Sequence, residues 1–141
     1  MGVKAEVIVA NREEAQEVLE SYFPSESWFG GMYRILALDT LSELYEILGG
    51  LRDDVLFLEP LAETDCEWVF ELPAALVAVL ASLDADNIPR ISAAWAATDG
   101  FKRCPGRELR LVVAAEALDL LIVVSKNARD SRKQMLLWMC L

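Results

Sequence analysis

The period of apolar and polar positions changes several times along the 141 residues. At the start, "VKAEVIVA" (3–10) alternates and is β-branched, the pattern of a strand. "NREEAQEVLES" follows with Asn11 as an N-cap and acids in the first turn, which predicts a helix over about 12–21 that ends before Pro24. In "DTLSELYEILGG", Leu41, Leu44, Tyr45 and Leu48 share one helical face, Thr40 and Glu43 have the spacing of a capping box, and Gly49 supplies the stop. "VLFLEPLAE" (55–63) and "EWVFEL" (67–72) read as short strands joined tightly through "TDC", with Pro60 pushing the first of them to an edge.

Pro73 stands where a first helical residue should, and Leu76, Val79, Leu80 and Leu83 recur at helical spacing up to Asp84. A shorter helix over about 87–98 carries Ile91, Ala94 and Trp95, and a last one runs from near Pro105 to about 126. Projected at about 100° per residue, Glu108, Glu116, Asp119 and Lys126 of that helix fall in one narrow sector, so it should be covered on most sides. Lys126, Arg129, Arg132 and Lys133 gather where cations suit the negative end of its dipole. "QMLLWMCL" (134–141) shows no alternation and fits a strand buried on both faces, beside the N-terminal strand. The sum is an α+β fold: a single compact domain over 1–141, with a small mixed sheet whose N-terminal and C-terminal strands are central and about five helices packed on it.

An apolar share of 55% and a charged share of 26% support a real core without staples. The formal charge of −10 repels phosphates and anionic lipid, so neither nucleic acid nor a membrane is expected as a partner. The run 109–124 is interrupted by Arg110, Glu116 and Asp119, too charged for a span of ~20 apolar residues. The opening residues lack the pattern of a signal peptide, and three scattered cysteines without a CxxC pair point to a reducing cytoplasm. Acidity is concentrated: residues 1–70 hold 4 basic and 15 acidic side chains, residues 71–141 hold 9 and 8. The acids Glu13, Glu14, Glu17, Glu20, Asp53 and Asp54 are therefore a candidate face for a basic protein partner, provided they share one surface.

The chain contains no histidine, which removes Ser-His-Asp and Cys-His catalysis and every His-ligated metal site. Cys66, Cys104 and Cys140 lack metal-ligand spacing, so neither a metal nor a cofactor is expected. Cys104, after Lys102 and Arg103, has the most electropositive setting of the three, against the plain reading of a loop cysteine. "SESWFGGMYR" is the candidate pocket loop, with Trp28, Tyr33 and Arg34 as ligand-binding residues; the competing reading is that its aromatics cap the core while Gly30 and Gly31 turn the chain into a strand.

The opening "MGVKAEVIVA", the helix "LDTLSELYEILGG", the segment "LPAALVAVLASLDADNIPRISAAW" and the closing helix and strand resemble in layout the YfbM-like bacterial family of unknown function. The resemblance implies a bacterial cytosolic α+β domain and brings no catalytic residues with it. Two functions stay open: a non-catalytic protein-binding module, of regulatory or immunity type, and a small-molecule binder or carboxylate-dependent enzyme that uses the Trp28 to Arg34 loop.

Overall fold

The computed structural model describes residues 4–141. Five strands, β1 (Lys4–Ala10), β2 (Gly30–Met32), β3 (Ala62–Glu63), β4 (Glu67–Glu71) and β5 (Gln134–Cys140), form one sheet in the order β2-β1-β5-β4-β3. The helices are α1 (Ala15–Glu20), α2 (Leu38–Ile47), α3 (Asp53–Leu56), α4 (Ala74–Ala81), α5 (Ile88–Ala96) and α6 (Arg107–Ser131). The first and last strands are central, as their patterns predict, and pair from Lys4–Cys140 to Ala10–Gln134.

All pairings are antiparallel, so the sheet is not mixed. The cause is α6, whose 25 residues return the chain to the end of the sheet where β1 and β4 finish. Starting there, β5 can only run against both neighbours. The reversal is made at Arg132, whose φ of 57° is left-handed, while the Lys133 N–H bonds the Ala128 carbonyl at 3.0 Å. That conformation costs a non-glycine residue about 1–2 kcal/mol, which the terminal hydrogen bonds help to offset.

Burial on both faces explains the unalternating β5 run. Met135 and Leu137, with Ala5, Val7 and Val9 of β1, face the main core under α2, α4, α5 and α6. Leu136 and Trp138, with Ile8 and Ala10, face a smaller core covered by Ala15, Val18 and Leu19 of α1. Alanines at 114, 117 and 128 are fully buried on α6, where the helix packs on α4, α5 and β1. The helix is less enclosed than its projection suggests, since Leu109, Val112 and Val123 are exposed.

Three local expectations are corrected. Residues 53–56 are a helical turn and only 62–63 are strand, because Asp53 and Asp54 favour a helix start that buries Val55; α3 is thus the sixth helix. Thr40 and Glu43 lie inside α2 rather than at its cap, and Glu43 Oε1 accepts from the Gly100 N–H at 3.0 Å instead. Gly30 and Gly31 are in the edge strand itself. The Val7 carbonyl occupies the place of a Cβ at Gly30, and Leu120 Cδ1 lies 2.7 Å from a Cβ built at Gly31, so the pair permits close approach of β1 and α6.

Candidate functional site

The loop residues singled out in the sequence do not meet. Trp28 packs on the smaller core and Tyr33 on the main core, so the sheet stands between them, and Arg34 is exposed. Trp28 Nε1 donates to Glu14 Oε2 at 3.0 Å, and the Asn11 N–H donates to Glu14 Oε1 at 2.9 Å. Those two bonds, the indole's the larger cause, hold the Glu14 carboxyl below its ordinary pKa. Glu14 thereby anchors the start of the α1 region.

The Tyr33 hydroxyl donates to Glu116 Oε2 at 2.5 Å. Burial first, and then this carboxylate, push its pKa up to about 12. Because the folded value lies above the unfolded value of ~10, the contribution of Tyr33 to stability is complete below pH ~10 and is lost as pH rises toward about 12. Alkaline denaturation should therefore begin at higher pH in a Tyr33→Phe variant than in the parent. Melting curves collected between these two pH values check this; identical alkaline limbs would contradict it.

The six candidate acids are also divided. Glu13, Glu14, Glu17 and Glu20 belong to the α1 side of the sheet, whereas Asp53 and Asp54 begin α3, which packs on α2 over the main core. The two groups flank opposite sides of the sheet.

The sheet end where β1 and β4 finish and β5 starts holds two concave surfaces. An open cleft of about 590 Å³ is lined by Tyr45, Asp54, Leu58, Glu59 and Pro73, among others, and a second of about 350 Å³ by Arg12, Val77, Arg129, Lys133 and Gln134. Both include Glu71, Leu72 and Ala74, so they are two halves of one groove. At the division Arg12 Nε and Nη2 donate to the two Glu71 carboxylate oxygens at 2.5 and 3.0 Å, a forked pairing that raises the Arg12 pKa. The Arg12 N–H also donates to Gln134 Oε1 at 2.9 Å. Arg129 is fixed by its Nη1 donating to the Ala81 carbonyl at 3.1 Å.

The groove has an acidic end (Asp54, Glu59), a basic end (Arg129, Lys133), and an apolar floor from Leu72 and the first turns of α4. Phe57, next to Leu58 in the chain, is 71% exposed. The sequence carried part of this signal: the cations at 126–133 and the lone Arg12 among acids. Their meeting around one cleft, with Arg12 paired to Glu71, depends on the strand register and was not readable locally.

Among the described residues no three acidic or cysteine side chains are grouped as a metal site would require. Cys66, Cys104 and Cys140 are free thiols. Burial, with a smaller effect of Glu67, raises the Cys140 pKa, which disfavours its thiolate. Cys104 packs against the main core, and its carbonyl accepts from Arg110 Nε at 2.9 Å. Among the described residues no helix is long and apolar enough to cross a membrane. Comparison with family models, with curated proteins and with solved structures found no match to this chain.

Proposed function

We propose that the protein is a non-catalytic binding module of the cytoplasm that docks a segment of a partner protein in the groove at the end of its sheet. The observation that carries the reading is the sharing of Glu71, Leu72 and Ala74 by two clefts of opposite charge. An open groove with an apolar floor and ends of opposite charge suits an extended chain, with a basic residue of the partner at Asp54 and Glu59 and an acidic one at Arg129 and Lys133. The exposed acids of α1, on the other side, supply general attraction for a basic partner. Kinship with the YfbM-like family belongs to the same proposal and rests on the layout of elements.

The test is capture of partners from the cells that express the protein, followed by affinity measurement with the purified partner. Ala74 is exposed and lines both clefts, so Ala74→Trp should plug the groove while preserving the fold. Binding should weaken roughly tenfold or more with Ala74→Trp and with Asp54→Lys. It should change only modestly with Glu13→Lys plus Glu17→Lys. A partner held equally by Ala74→Trp and released by the α1 charge reversals would move the site to α1 and refute the groove.

A further inference from the structure

On the less covered face of the sheet, Lys4 Nζ lies 3.5 Å from the ring centroid of Phe23, 5.4 Å from that of Trp138 and 5.9 Å from that of Tyr22. Tyr22 and Phe23 meet edge to face at 5.2 Å. Among the described residues Lys4 makes no ion pair, and its ammonium group stands against the three rings. Tyr22 is 82% exposed and Phe23 39%, whereas Trp138 is 3% exposed. Two aromatic walls thus stand open to solvent above a buried aromatic floor.

A second observation concerns charge. Glu6, two residues along the same face of β1 and directly across from Trp138, is fully buried. Its Oε1 accepts from the Ser25 N–H at 2.9 Å, while its Oε2 has no partner; the Trp138 Nε1 donor is likewise buried without one. The strand register thus sets an unpartnered carboxylate oxygen opposite the residue that forms the floor of the ring cluster. Lys4 fits this setting imperfectly, because a primary ammonium gives up strong hydration on an aromatic face.

From this geometry we propose that Tyr22, Phe23 and Trp138 form a binding site for a quaternary ammonium group, occupied in the resting protein by Lys4. A trimethylammonium group carries its charge over a larger apolar surface and costs less to desolvate, so it displaces the lysine head and takes its place against the rings. Lys4 acts as an internal competitor, and its occupancy lowers the apparent affinity for the external ligand. The site lies apart from the groove and does not depend on it.

Titration with tetramethylammonium, followed through the indole N–H resonance of Trp138, provides the test. The parent should bind in the millimolar range, and Lys4→Met about tenfold more tightly. Tyr22→Ala, at an exposed position where folding is not at risk, should weaken binding severalfold, and Glu6→Gln should also weaken it. The neutral isostere 3,3-dimethylbutan-1-ol should bind far less well than choline. Choline against a trimethyllysine peptide then distinguishes a free metabolite from a modified protein as the source. Equal binding of the neutral isostere, or no movement of the Trp138 signal in either the parent or folded Lys4→Met, would overturn the proposal.

Discussion

A chain lacking residues 135–141 is expected to show no cooperative melting transition. The lost segment pairs with β1 on one side and β4 on the other, so the sheet divides into two fragments that each expose a raw edge. It also removes Met135, Leu136 and Leu137, all fully buried, and the nearly buried Trp138. Truncating each to alanine alone would cost about 2–5 kcal/mol, and together such losses are as large as the whole stability of a typical domain, about 5–15 kcal/mol. Near-ultraviolet circular dichroism and a thermal scan give the answer. A shortened protein that melts cooperatively within about 5 °C of the parent would show that β5 is dispensable.

The second large effect is expected at Trp95, which joins α5 to α2. Its side chain is fully buried, meets Phe101 edge to face at 5.1 Å, and donates from Nε1 to the Thr40 carbonyl at 2.9 Å. Trp95→Ala should cost about 3–5 kcal/mol, combining lost burial with the cavity left behind. Trp95→Phe keeps most of the apolar volume but removes the indole's bond to the Thr40 carbonyl, which retains its partner in the α2 ladder, for a loss of about 0.5–1.5 kcal/mol. Urea denaturation of the parent and both variants separates the two contributions. Equal midpoints for Trp95→Phe and the parent would show that the hydrogen bond adds nothing.

What could be read from the sequence divides along the line between local and distant causes. β1, α2, α4, α5 and α6 each carry their own periodicity, and in β5 the lack of alternation in "MLLW" correctly pointed to two buried faces. α3 escaped notice because four residues are too few to show a period, and "VLFLEP" beside them looks like a strand. The glycines of β2 have poor strand propensity in isolation; they sit there because the Val7 carbonyl and Leu120 come so close. The placement of the acids was unreadable for a related reason. Asp53 and Glu13 are both acidic and both in the first half of the chain, yet α1 and α3 pack against opposite sides of the sheet. Glu71 unites the groove only because β4 ends beside the start of β5 and close to Arg12. Glu6 gave no warning, because an acid in an alternating strand reads as a solvent-facing position.

The sheet order has a consequence for how the protein is made. Only the β3–β4 hairpin is local in sequence, while the most extensive pairing joins Lys4 with Cys140 at one end and Ala10 with Gln134 at the other. Closing so long a loop has to precede the contacts that reward it, which places the protein among slow folders. During synthesis the centre of the sheet cannot close until β5 has left the ribosome. Until then β1 and β4 present unpaired backbone, and the nascent chain is most exposed to aggregation at the stage when most of its helices have already been made.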